Sequence, residues 1–329
     1  MPVGLVVLCL AWPAATAGAG AQSSAFTVKL FGPWTFSGDR VVFAGSAGTS
    51  SGVLSWRVNT GAPIRVAAAC GRQEQTTAFA PAARRIVCLS QISGNTERYD
   101  TVDSIALSGG SPTHIDAARG DPNGASDQIR LLASDGTTAW YVKSLVSGKV
   151  RLMRVTPAGG KVLVGVLAEL QGSGPAITGG DVDGGVIAIA HGKVDVYSTA
   201  GKHLATIPGP VAEVAVRKDR VVVLTRTHEL RTYTSRGALV HTLAVSSRAR
   251  FLSTYYGYAT YLQADHLLHV VKLATGKDRV LERFTGGHLW DGAQLQAAGV
   301  VLPETRTVGT QSPVTLRFIP FARIRSLVG

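Results

Sequence analysis

The chain has 329 residues, with 33 Lys and Arg against 21 Asp and Glu and a formal net charge of +12. Hydrophobic residues make up 45% and charged ones 16%, and Gly numbers 38, which excludes a disordered chain and leaves a globular protein with a sizeable core and many tight turns. The basic residues are spread with no Lys/Arg-rich block, so nucleic acid is not the expected partner, whereas a protein, an anionic glycan or a cell-wall polymer fits the charge.

Residues 1–21, "MPVGLVVLCLAWPAATAGAGA", carry an apolar segment from Val3 to Trp12 and then A-x-A matches at Ala15 to Ala17, Ala17 to Ala19 and Ala19 to Ala21. This is the pattern of a secretory signal peptide without its usual positively charged start. The alternative is an uncleaved anchor, the one route by which a membrane partner is expected; Cys9 lacks the setting of a lipoprotein signal. Residues 22–329 are then expected to form one domain, a monomer, secreted or held in the periplasm or cell envelope. Two cysteines remain, Cys70 and Cys88. In an oxidising compartment they are expected to pair as a disulfide, the alternative being two buried free thiols, since spacing alone does not bring two Cα atoms within bridging range.

From Gly38 onward a two-part pattern recurs. A polar turn leading into an apolar run appears as "GDRVVFAG" at 38, "ARRIVCLS" at 83, "GTTAWYVKS" at 136, "DGGVIAIA" at 183, "KDRVVVLT" at 218, "YGYATYLQ" at 256 and "AAGVVLPE" at 297. Each copy is followed by an alternating strand, a small-residue turn and a further strand, as in "KVDVYSTAGKHLATI" at 193 and "ELRTYTSRGALVHTL" at 229. The spacing of about 43 residues leaves room for four short strands per unit and is the period of a propeller blade. Runs such as Val221 to Thr225 are apolar throughout, as expected where both faces of a strand pack on neighbouring sheets.

The expected fold is therefore all-β: a seven-bladed β-propeller with four antiparallel strands per blade. The seventh copy, "VTLRFIPFARIRSLVG" at 314, supplies a third strand and then only a short basic tail. "FTVKLFGPW" near the start parallels "LATIPGPVA" at 204, so Phe26 to Phe31 is expected to complete the last blade and close the ring, removing open edges.

The turns "NTGAP" (Thr60, Gly61), "STAGK" (Thr199, Gly201) and "LATGK" (Thr275, Gly276) resemble those of secreted propellers of the quinoprotein-like and Trp-Asp-repeat-like classes. The resemblance covers the whole mature chain and implies a fold without an activity. No docking Trp of quinoprotein dehydrogenases follows these turns, the only "WD" (Trp290-Asp291) sits at a blade entrance, and the sialidase-type box is missing.

In such a ring the first-to-second and third-to-fourth strand turns share one face, and here they are tight. The other face receives the long connections 45–52, 71–77, 90–100, 118–128, 168–175 and 303–313, where binding is expected. Candidates on that face are Glu97, Arg98, Asp100, His288, Trp290 and Arg306. Asp121, Asn123 and Asp127 faintly echo a calcium loop but lack its closing Glu, so a solvated turn is the plainer account. His266 and His269 are three apart on a strand and face opposite ways. The tyrosines of "YYGYATY" (Tyr255, Tyr256, Tyr258, Tyr261) are read as strand packing. No nucleophile elbow, zinc-protease helix or phosphate loop appears. The expected function is a non-catalytic binding scaffold for a protein or glycan, using the long-loop face. The alternative is a lactonase-like hydrolase or quinone-dependent oxidoreductase with its site at the central channel. The fifth unit, Val214 to Leu243, has the shortest turns and is the part least expected to hold a site.

Overall fold

A computed structural model describes residues 24–58, 60–70, 76–93, 98–120, 127–172, 177–245, 248–264, 266–284, 288–289, 292–305 and 313–329. The segment read as a signal peptide lies outside them. Among the described residues no helix is long and apolar enough to cross a membrane.

Among the described residues the chain is all-β apart from one 3-10 turn, Ala168–Leu170, and one terminal helix. Five separate sheets each hold four consecutive antiparallel strands. They are β5 to β8 (Thr76–Ala82, Arg85–Ser93, Arg98–Ala106, Thr113–Gly120), β9 to β12 (Gln128–Ser134, Ala139–Ser144, Val150–Val155, Lys161–Val166) and β13 to β16 (Gly179–Asp183, Val186–Ala190, Val194–Ser198, His203–Ile207). Two more follow, β17 to β20 (Val211–Arg217, Arg220–Thr225, Glu229–Thr234, Leu239–Ala244) and β21 to β24 (Ala249–Tyr255, Tyr258–Gln263, Leu267–Lys272, Lys277–Arg283). An eight-stranded sheet joins the two ends of the chain: β1 to β4 (Ser24–Ser37, Arg40–Ala47, Ser50–Arg57, Ile64–Ala67) with β25 to β28 (His288–Leu289, Gln294–Leu295, Gly299–Thr305, Pro313–Pro320).

The link between the ends is β1. Its first half, Ser24 to Lys29, pairs antiparallel with Phe318 to Pro313 of β28, and its second half, Trp34 to Ser37, pairs with Phe43 to Arg40 of β2. The β1–β2 register shifts between Leu30 and Trp34, where Gly32-Pro33 falls and Pro33 has no N–H to give to a ladder. One strand thus ends the last sheet and begins the first. First strands of successive sheets lie against one another in the order β1, β5, β9, β13, β17, β21, and β26 meets both β21 and β1.

Burial explains the apolar runs. Val221 and Val223 of β18 pack with Val186, Ala188 and Val196 of the preceding sheet, while Val222 and Leu224 pack with Ala259, Tyr261 and Val271 of the following one. Alternating side chains of one strand thus enter two different cores, each worth roughly 1.5–3 kcal/mol per buried Val or Leu. Outer strands such as β20 alternate exposed and half-buried positions. The turn after β13 needs glycine: Gly184 has φ +56, and a Cβ there would lie 2.5 Å from the Lys218 Cα of the next sheet.

The tail and some hairpin ends differ from expectation, whereas the expected disulfide is present. The terminal tail forms a helix, α1 (Phe321–Val328), whose Phe321, Ile324 and Val328 pack with Leu262, Leu268 and Leu281, because its apolar residues recur at helical spacing. The stretch 45–52 is no long loop: β2 and β3 pair as far as Ala47 and Ser50. β6 and β7 pair out to Ser93 and Arg98, and β27 and β28 to Thr305 and Val314, while residues 94–97 and 306–312 lie outside the described residues. Cys70, after β4, is joined by a disulfide to Cys88 of β6, with Cα atoms 6.1 Å apart; both are buried, and the bond ties the first sheet to the second.

Candidate functional site

The first strands enclose a cavity of about 690 Å³, within the size range of small-molecule sites. It lies toward the ends where first strands turn into second strands, since its lining includes Gly38, Gly136, Asp183, Arg217 and Tyr255. It is therefore associated with the tight-turn face. The fifth unit, expected to be the plainest, contributes Glu213 to Arg217.

Several polar side chains on this wall have structural partners. Glu213 of β17 accepts backbone N–H bonds from Phe251 and Leu252 of β21, both 2.7 Å. Those amides are free because the β21–β22 register shifts between Arg250 and Ser253, with Phe251 held at φ +59, a backbone cost that the clasp offsets. Asp181 of β13 accepts from Val216 at 2.7 Å and Val182 at 2.8 Å. Asp183 accepts from the Lys218 amide at 2.6 Å and pairs with Arg217 at 3.0 Å. Ser253 accepts from Leu295 at 2.9 Å, and Gln294 accepts from Phe36 of β1 at 2.7 Å. From β13 round to β1, each first strand is thus fastened to the next by a side chain. Burial, with the neighbouring Asp183 charge, pushes the Asp181 carboxyl up to about 6 against the pull of its two amide donors and Arg217. Arg217 stacks on Tyr255 at 4.1 Å, and its Nε is buried without a partner.

Two further polar clusters lie away from the cavity. Fully buried Asp195 is held by His191 at 2.6 Å, His203 at 3.2 Å and the Thr206 hydroxyl. Burial alone would raise this carboxyl, but those three bonds and the Lys193 charge hold it below the ordinary range. Asp116 is depressed in the same way: burial is outweighed by Lys161, Tyr141 and Lys143. Among the described residues no group of three or more His, Cys, Asp or Glu is placed to hold a metal ion.

The sequence candidates are scattered. Asp100 is fully buried, and its carboxylate accepts from the Ile129 amide at 2.8 Å, fastening β7 to β9. Asp127 accepts from the Val146 amide of the β10–β11 turn at 2.8 Å; Asp121 and Asn123 lie outside the described residues. So do Glu97, Trp290 and Arg306. Arg98 and His288 are placed by backbone only, opposite Ser93 and Thr305. His269 stacks on Tyr261 and bonds Asp278 at 3.0 Å. Tyr255 and Tyr258 pack edge-on against Phe321, whereas Tyr256 is exposed. The carboxylates that fasten the wall, Asp181, Asp183 and Glu213, were not among the sequence candidates.

No family model and no curated protein matches the chain. Solved structures do. The chain is similar to the computationally designed Ika8 protein (16% identity, 89% of this chain and 96% of that one, TM-score 0.54). It is similar to BamB from Moraxella catarrhalis (13%, 88% and 83%, 0.51) and to Sqt1 from Saccharomyces cerevisiae (10%, 87% and 84%, 0.55). At these identities the likeness is one of fold, and the fold is a β-propeller.

Proposed function

We propose that the chain is a seven-bladed propeller, closed by its N-terminal strand, that serves as a non-catalytic interaction scaffold outside the cytoplasm. The circuit of first strands supports the blade count, and the disulfide supports an oxidising compartment. The observation that carries the reading is the engagement of Asp181, Asp183 and Glu213 by backbone amides of the next sheet, which leaves the wall's carboxylates holding the ring rather than serving as acid and base. The proposed binding surface is the face of the extended hairpins β2–β3, β6–β7 and β27–β28, whose ladders outrun those of β14–β15 and β18–β19. A protein or glycan partner rests on that relief and on the basic charge.

Cross-linking followed by mass spectrometry on material captured from envelope extracts tests this. Cross-links should fall on the β2–β3 and β6–β7 hairpins, and replacing residues 92–99 by a two-residue turn should abolish capture. Undiminished capture by that variant would refute the assigned face.

A further inference from the structure

The opposite face, built from the tight turns, carries charge of its own. Arg84, Lys202, Lys218, Arg236 and Arg325 are exposed there, on the turns β5–β6, β15–β16, β17–β18 and β19–β20 and on α1. Among the described residues none of the five has an acidic partner. Acids on other turns of this face are mostly spent: Asp39 on Arg57 at 2.5 Å, Asp183 on Arg217, and Asp135 on the Thr137 and Thr138 amides. Asp219 alone is largely exposed, 3.9 Å from Arg220. Cations therefore outnumber available anions, so this face presents a positive potential.

Large apolar side chains stand among these cations. Tyr256 is 56% exposed at the β21–β22 turn, with Lys218 Nζ 4.4 Å from its ring centre. Ile64, 58% exposed, opens β4 beside exposed Arg65, and Leu239, 56% exposed, opens β20 just after Arg236.

We propose that this turn face docks flat onto a lipid bilayer rich in acidic headgroups. Tyrosine at the level of the headgroups, aliphatic tips beneath it and Lys/Arg beside both is the composition that an anionic membrane interface takes. The cations come from three sheets and the terminal helix, which matches a two-dimensional anionic surface better than a single acidic segment threading one groove. An acidic glycan would answer the charge but give Ile64, Leu239 and Tyr256 nothing to bury against.

Co-sedimentation of the full chain with phosphatidylcholine vesicles, with and without phosphatidylglycerol, tests the proposal. Binding should need the acidic lipid and be released at about 1 M salt, where the Debye length is about 3 Å. Lys202→Glu with Arg236→Glu should weaken binding about tenfold or more. Lys149→Glu with Arg226→Glu, on the opposite face, changes the net charge equally and should have little effect. Tyr256→Ser should weaken binding without changing charge, and matching melting temperatures establish that each variant folds. Equal losses from the two charge-reversed pairs, or binding to soluble polyglutamate without binding to vesicles, would overturn the proposal.

Discussion

At Asp181 burial and hydrogen bonding oppose each other. Its carboxyl sits in the channel wall, raised to about 6 by burial and by Asp183, yet two amides point at it. A carboxyl whose folded pKa lies above its unfolded value costs stability once it must ionise. Its contribution is most favourable below about 4 and falls as pH rises toward about 6. Asn cannot ionise, so the difference in melting temperature between wild type and Asp181→Asn should shrink in favour of the variant from pH about 4 to about 6 and stay level above; a pH-independent difference would count against this account. Asp195 has the opposite sign. Its folded pKa is depressed, so its contribution is present above the unfolded value and lost in acid. Neither role was legible in the sequence. Whether a strand carboxylate faces water, a histidine or the amide of another sheet depends on inter-sheet packing that no local pattern encodes.

Individual strands were more legible, for a physical reason. A second strand packs on sheets to both sides, so its middle is apolar on both faces, as Val186 to Ala190 and Val221 to Leu224 are; a polar turn before it and an alternating strand after it complete a readable unit. Hairpin ends gave the wrong impression because "GSAGTSSG" and "SQIS" are small and polar. Beyond the core a hairpin is held by ladder hydrogen bonds alone, which any residue but proline can make. The helix α1 was hidden by its two arginines, whose charge masked the Phe321, Ile324, Val328 stripe. At this scale β1 is the critical strand, since its two halves serve different partners. Deleting residues 24–31 should expose the β28 edge and the core around Leu316 and Phe318. The prediction is loss of the cooperative thermal transition; an unchanged melting temperature would show that β1 does not close the sheet.

The whole molecule is a set of sheets whose first strands meet around a cavity, and its stability depends on those contacts as well as on the cores between sheets. The cavity wall is also the joint between β13, β17, β21, β26 and β1. On the proposed scaffold reading, binding falls to the two faces, one raised by extended hairpins and one basic and tipped with Tyr256. Thermal unfolding of Glu213→Ala tests that view most directly. Glu213 lines the cavity and clasps Phe251 and Leu252, so its loss leaves two amides unpaired and should cost roughly 2–4 kcal/mol. That would lower the melting temperature by several degrees, at about 2–4 °C per kcal/mol. An unchanged or raised melting temperature, the usual result of removing a residue kept for chemistry, would contradict the scaffold reading.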